Sequence, residues 1–257
     1  MKGERIWVIG ASSGIGAALA KALAGKGAKV WISARSEDDL KRVAEEDPDR
    51  IIPLPLDITN RENVDAAMSE IDKDGPIDRV VTSAALWVET NWDDLHEGGF
   101  RPTIEVNILG TINVISAASR AMDQQGCGHI AVLSSVAGFR GLPRAAAYGS
   151  SKAALTHLCE SLRFMLEPRG IRLQVIHPGF VDTPATQKND FDMPYLISSD
   201  EAADRIIEGL QKKQFEITFP KRFTFQLKFL RILPYAVYFW LVGRITKGGG
   251  NADETAG

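Results

Sequence analysis

Short apolar runs alternate with amphipathic helical runs along most of the chain, and this alternation restricts the fold more than any other feature. Arg5–Ile9, Lys29–Ser33, Ile51–Leu56, Asp78–Ser83, His129–Ser134, Arg172–Ile176 and Phe215–Phe219 read as strands. Between them Ile15–Ala24, Ser36–Glu46, a run from Thr59 to Ile71, Arg101–Met122, Tyr148–Glu167 and Ala202–Gln211 read as helices. Three helix starts carry capping pairs: Ser36/Asp39, Thr59/Glu62 and Ser198/Glu201. Such alternation builds an α/β fold, a doubly wound parallel sheet of seven strands with helices on both faces. Right-handed crossovers give the order 3-2-1-4-5-6 for the first six strands. Pro53 and Pro55 cannot donate to a ladder, which suits the third strand to the edge position this order assigns it.

The 257 residues are enough for one such domain with a real core. The net charge of −3 does not suggest nucleic acid as a partner. Cys127 and Cys159 lack metal-like spacing and read as inert thiols of a reducing, cytoplasmic compartment. His96, His129, His157 and His177 are scattered and read as structural, so no metal is expected. Met1–Arg5 is short and polar, and no secretory signal is expected there. We expect one cofactor-binding domain over 1–219, a basic hydrophobic extension over 220–247 and a disordered tail over 248–257.

A glycine turn, Gly10-Ala11-Ser12-Ser13-Gly14-Ile15-Gly16, joins the first strand to the first helix. Glycines let the backbone turn sharply and approach a pyrophosphate. The helix start offers free N–H groups and the positive end of its dipole. At the first strand–helix junction such a turn points to a dinucleotide; elsewhere it is an ordinary connection. The end of the second strand selects the cofactor. An acidic residue there binds a ribose 2′-hydroxyl and repels a 2′-phosphate. This chain has Ala34-Arg35-Ser36 instead. The Arg35 guanidinium suits a phosphate and stacks on adenine, which points to NADP(H); the alternative is a solvated arginine. Asp57 either accepts from the adenine amino group or caps the turn before Thr59.

Tyr148 and Lys152 lie four apart on a helix and so share a face. A phenol has a pKa of about 10, and a nearby cation lowers it. Tyr148 so tuned gives a proton to a carbonyl oxygen, or takes one back in the reverse reaction. Asn107, Ser134-Ser135 and His177-Pro178-Gly179 accompany the pair in order along the chain. With the Gly10–Gly16 turn and Asp57, this constellation resembles the short-chain dehydrogenase/reductase (SDR) family over Arg5–Phe219.

That resemblance implies a Rossmann-type sheet. It implies Ser135, thirteen positions before Tyr148, as the donor that polarises the substrate carbonyl. Tyr148 is then the general acid/base. Lys152 tunes Tyr148 and holds the nicotinamide ribose, and Asn107 supports a water that relays protons to Lys152. The implied cofactor contacts are Gly10, Ser12, Ser13, Gly14, Ile15, Gly16, Arg35, Asp57, Ile58, Ala84, Ala85, Asn107, Tyr148, Lys152, Pro178, Gly179, Val181 and Thr183. Thr183 is expected at the carboxamide or the pyrophosphate. The chain departs from the family pattern at two points. Thr82-Ser83-Ala84-Ala85 replaces the common Asn-Asn-Ala-Gly, and Ile9-Gly10 replaces Thr-Gly.

The expected substrate region holds Leu86, Trp87, Val88, Ala137, Phe139, Leu142, Phe180 and the lid-like stretch 184–197. Arg140 and Arg144 are the exceptions to its apolar character, so an apolar or lipid-like carbonyl or alcohol is expected. Pro220–Lys247 carries aromatic and aliphatic residues with six basic residues and no acid, and its longest uncharged run, Ile232–Gly243, is too short to span a bilayer. It suits an interfacial helix pair on the inner face of a membrane; a dimer interface and a cover over the pocket are the alternatives. A homodimer or homotetramer through the two long helices follows from the family. The alternatives to an enzyme are an NADP(H) sensor without turnover and a membrane-attached scaffold.

Overall fold

The computed structural model describes residues 1–248 apart from 93, 94, 96–98 and 190, so His96 and the tail after Gly248 lie outside the described residues. The strands are β1 (Arg5–Ile9), β2 (Lys29–Ser33), β3 (Ile51–Pro53), β4 (Arg79–Thr82), β5 (Gly128–Leu133), β6 (Ile171–Pro178) and β7 (Glu216–Phe219). They pair in parallel in the order β3-β2-β1-β4-β5-β6-β7. The helices are α1 (Gly14–Gly25), α2 (Glu37–Ala44), α3 (Arg61–Asp72), α4 (Phe100–Ile104), α5 (Thr111–Gln125), α6 (Ala146–Leu166), α7 (Ser199–Leu210), α8 (Lys221–Ile232) and α9 (Tyr235–Gly248).

Side chains alternate across each strand, which divides the core between two faces. Ile6 and Val8 join Leu19, Leu23, Ile206 and Leu210 under α1 and α7. Trp7 and Ile9 join Val64, Ile71, Val114 and Leu155 under α3, α5 and α6. Each fully buried aliphatic side chain contributes about 1.5–3 kcal/mol, so both faces must be covered for the sheet to persist. The carboxyl ends of all the strands then lie along one side, where the connections carry the candidate residues.

Three local expectations are corrected. β3 ends at Pro53 rather than Leu56. The N–H groups of Leu54 and Leu56 still donate to the carbonyls of Ile32 and Ala34, at 2.8 and 3.0 Å. Pro53 and Pro55, at the alternate positions, face the unpaired edge. The cap of α3 is Asn60, whose side chain accepts from the Asn63 N–H, and not Thr59. Thr59 instead donates its N–H and hydroxyl to Asp57 Oδ1, at 2.9 and 2.8 Å. The helix expected over Arg101–Met122 is interrupted: α4 passes through a π-helical turn, Glu105–Gly110, before α5 begins. The Ser36 and Ser198 caps form as expected, accepting from Asp39 and Glu201 N–H groups.

Candidate active site

The glycine turn is packed too closely for side chains. Gly10 has φ +82°, and a Cβ there would lie 2.3 Å from the Ala84 nitrogen. At Gly16 a Cβ would lie 2.2 Å from the Gly10 oxygen. The turn is therefore seated on the end of β4. The Ser83 hydroxyl fastens it, donating to the Ile9 carbonyl at 2.6 Å. This bond resolves the departure noted at Thr82-Ser83-Ala84-Ala85, since a serine can tie the two loops where an asparagine is absent. Thr183 lies against the other side of the turn: a Cβ on Gly14 would meet its Cγ2 at 3.0 Å.

The start of α1 is left open. Ser13 is its N-cap residue but makes no side-chain cap, whereas α2, α3 and α7 are capped by Ser36, Asn60 and Ser198. The first-turn N–H groups are thus available to an anion, with the helix dipole in support. Arg35 is exposed just after β2 and makes no hydrogen bond or ion pair among the described residues. Asp57 is engaged by Thr59 through one carboxylate oxygen, which is the turn-capping alternative raised by the sequence. Ile58 is buried, and a Cβ on Gly110 would lie 2.6 Å from its Cγ1. Ala85 is exposed, Pro178 and Val181 are buried, and Gly179 closes on α8, with a Cβ 2.8 Å from Phe223 Cδ1. A glycine-walled cradle, an open helix start and an unpaired guanidinium fit a phosphorylated dinucleotide.

Ser135, Tyr148 and Lys152 meet at the end of β5. Ser135 is extended, and its hydroxyl accepts from the Ala137 N–H at 3.1 Å, opening a short 3-10 turn over Val136–Gly138. That turn packs on α6, because a Cβ on Gly138 would lie 2.7 Å from the Lys152 carbonyl carbon. The serine is thereby set beside Tyr148. Lys152 is 2% exposed, and its Nζ donates to the Leu133 carbonyl at 2.8 Å and lies 5.5 Å from the Tyr148 ring centre. Burial lowers the Lys152 pKa to about 7.

The expected charge tuning is not the one found. Tyr148 keeps part of its surface exposed, yet crowding around it raises its pKa, and the Ser135 hydroxyl provides the opposing pull. Lys152 does not lower the phenol here, because its ammonium is turned to Leu133 and is itself driven toward the neutral form. Asn107 sits at the π-helical turn, fully buried. Its Oδ1 accepts from the Leu86 N–H at 2.7 Å, and its Nδ2 donates to the Leu86 carbonyl at 3.0 Å and to Ser151 Oγ at 2.9 Å. π-Helical turns recur at functional sites, and this one carries the amide into the space between β4 and α6.

A family model described as short chain dehydrogenase matches residues 4–193. The chain belongs to the short-chain dehydrogenase family. It is an oxidoreductase of that family, and its relatives agree. An uncharacterized oxidoreductase of Myxococcus xanthus is 33% identical over 235 residues, covering 90% of this chain and 93% of the relative. One from Staphylococcus epidermidis is 35% identical over 209 residues, covering 80% and 91%. A short chain dehydrogenase from Burkholderia cenocepacia, solved in complex with NADP, superposes with a TM-score of 0.82 at 28% identity, covering 93% of this chain and 98% of that one. A Streptomyces avermitilis short-chain dehydrogenase has the same fold, with a TM-score of 0.82 at 22% identity and coverage of 96% and 98%.

Around this site, further side chains hold the candidate residues in place, and of these Ser151 and Thr156 carry no sequence signal of their own. Trp87 meets the Tyr148 ring edge-on at 5.1 Å between centres. Ser151 donates to the Tyr148 carbonyl at 2.7 Å while accepting from Asn107. Ser134 donates to the Lys152 carbonyl at 2.7 Å and meets Thr156, which in turn meets His177 Nε2 at 2.9 Å. His177 Nδ1 lies 3.1 Å from Glu216. Burial would raise the Glu216 pKa, but hydrogen bonds from His177 and Lys228 hold it down at about 2.

The two arginines near the apolar region are already committed. Arg140 donates to the carbonyls of Leu230, Arg231 and Leu233 and stacks on Tyr235 and Tyr238, and Arg144 pairs with Glu89. Phe180, Phe191 and Tyr195 form an aromatic cluster with Phe223 of α8. The stretch expected to act as a lid leaves and rejoins the fold at one bridge, Val181 to Ile197.

Proposed function

We propose that this chain is an NADP(H)-dependent oxidoreductase that interconverts a carbonyl and an alcohol on an apolar, lipid-like substrate. The observation that carries this reading is the convergence of Ser135, Tyr148 and Lys152 on one strand end beside the glycine cradle. Bound NADPH supplies the hydride. The open start of α1 and the Gly10–Gly16 turn hold the pyrophosphate, and the unpaired Arg35 holds the 2′-phosphate. Ser135 donates a hydrogen bond to the substrate oxygen and favours its developing negative charge. Tyr148 delivers the proton to that oxygen in reduction and removes it in oxidation. Lys152, whose pKa burial lowers to about 7, takes up a proton when an acceptor approaches and so favours the phenolate. Asn107 acts mainly by position, since both its amide protons are committed to Leu86 and Ser151.

The commitment of Arg140 and Arg144 to the protein supports the substrate class, because neither guanidinium is left to recognise an anion. The exposed Ile112, Phe164 and Met165 on the outer faces of α5 and α6 suit a second copy packed through these long helices. NADPH oxidation followed at 340 nm across aldehydes, ketones and steroid or lipid carbonyls tests the reading, with NADH in parallel. NADPH-dependent turnover on apolar carbonyls supports it. Tight NADPH binding without turnover on any of them favours a sensor.

A further inference from the structure

The α8–α9 pair carries a surface that the fold itself does not use. The inner side of α8 is spent on packing: Phe223 joins Val136 and Phe139, and Thr224 is buried. On its opposite side Phe225, Phe229 and Ile232 recur at helical spacing, with Phe225 74% and Ile232 76% exposed. α9 is attached through Tyr238, whose hydroxyl donates to the Gly141 carbonyl, and leaves Tyr235, Phe239 and Trp240 exposed. Single exposed apolar residues need no explanation, but a run of this size on adjoining helices marks an interaction surface.

Charge identifies the partner. The segment carries Lys221, Arg222, Lys228, Arg231, Arg244 and Lys247 and no acid, so the rest of a chain with net charge −3 carries −9. Arg222 and Arg231 make no ion pair among the described residues, and Arg244 lies over the Trp240 ring at 5.0 Å. We propose that α8 and α9 lie flat on an anionic lipid surface. Phe225, Phe229, Ile232 and Trp240 enter the acyl boundary, and the exposed Arg222, Arg231 and Arg244 sit among the headgroups. Tyrosine and tryptophan favour that boundary, and arginine stems reach from it to phosphates. A two-fold contact between copies would set like charges face to face. The acidic remainder is repelled by the same surface, which orients the molecule with this pair toward the lipid. Among the described residues no helix is long and apolar enough to cross a membrane, so the pair rests on the bilayer instead of spanning it. Because the inner side of α8 touches Phe180 and Tyr195, the aromatic side of the site lies next to the lipid.

Co-sedimentation of the full chain with phosphatidylcholine vesicles, with and without phosphatidylserine, tests this independently of turnover. The phosphatidylserine vesicles are expected to bind the chain at least tenfold more tightly. The double variant Arg222→Gln/Arg244→Gln is expected to lose about twentyfold of that affinity. Phe225→Ser/Ile232→Ser is expected to abolish binding with an unchanged melting temperature. Brominated lipid should quench tryptophan emission in the wild type, and Trp240→Phe should remove that quenching. Absence of vesicle binding, or equal binding by wild type and Phe225→Ser/Ile232→Ser, overturns the proposal. Failure to bind vesicles with Phe225→Ser/Ile232→Ser splitting a dimer, seen by sedimentation velocity, would also overturn it and give the surface to a second copy.

Discussion

The ammonium nitrogen of Lys152 lies 2.8 Å from the carbonyl oxygen of Leu133, the last residue of β5. One backbone oxygen is a thin replacement for water around a side chain only 2% exposed, and the Lys152 pKa falls to about 7. Between that value and 10.5 the unfolded chain binds a proton that the folded chain does not. Stability therefore rises with pH across this window, and the full cost of burying the cation is felt below about pH 7. Urea denaturation of the ligand-free protein should show a gain of about 2 kcal/mol from pH 7 to pH 9 relative to Lys152→Met, which cancels the background of other groups. Parallel curves for the two proteins would show that Lys152 keeps its ordinary pKa.

Tyr148→Phe removes the hydroxyl that moves the proton while keeping the ring against Trp87. Turnover is expected to fall about a thousandfold or more, with NADPH affinity within a few-fold of wild type by fluorescence titration. Turnover near wild type would remove Tyr148 from the proton-transfer role.

Arg35→Ala should weaken NADPH by roughly tenfold to a hundredfold, the worth of charge-assisted hydrogen bonds to one phosphate. NADH affinity should change little. The ratio of the two dissociation constants, measured by calorimetry, is the readout, and an equal loss for both cofactors would refute the phosphate contact.

Asn107→Ala strips three hydrogen bonds from a fully buried amide and leaves the Leu86 N–H without its acceptor. A loss of roughly 2–3 kcal/mol in denaturant stability is expected, with a lower kcat. Ser151→Ala should cost less, because its hydroxyl links Asn107 to the Tyr148 carbonyl through single bonds. A larger loss for Ser151→Ala would reverse that order.

Gly16→Ala places a methyl 2.2 Å from the Gly10 oxygen. The turn must move to admit it, at a cost of roughly 1–3 kcal/mol. NADPH affinity should fall with it, whereas Gly25→Ala, which meets nothing within 4 Å, should leave both unchanged.

The sheet order was legible because apolar runs, glycine turns and the two prolines at and just past the end of β3 all agree on it. The candidate triad was legible because its residues keep fixed spacings. What escaped has physical reasons. Thr59 and Asn60 are adjacent, and both can cap a helix; only the grip of Asp57 on Thr59 decides between them. The π-helical turn at Glu105–Gly110 keeps the apolar pattern of a helix, so its extra residue leaves no mark in the periodicity. The upward pull on the Tyr148 pKa depends on crowding and on where Lys152 points, neither of which a spacing of four specifies. The bond from Tyr238 to Gly141 joins residues far apart in sequence, and nothing local in either segment announces it.

The outward-facing Pro53 of β3 and Pro55 just beyond it have a bearing on the life of the chain before it is fully assembled. Leu54 and Leu56 spend their donors on β2, while Pro53 and Pro55, which face outward, have none to offer. A foreign strand drifting against that border finds acceptors without matching donors, so the ladder cannot be extended there into a polymer. During synthesis, when many incomplete sheets coexist, this border guards against aggregation without using a charged residue.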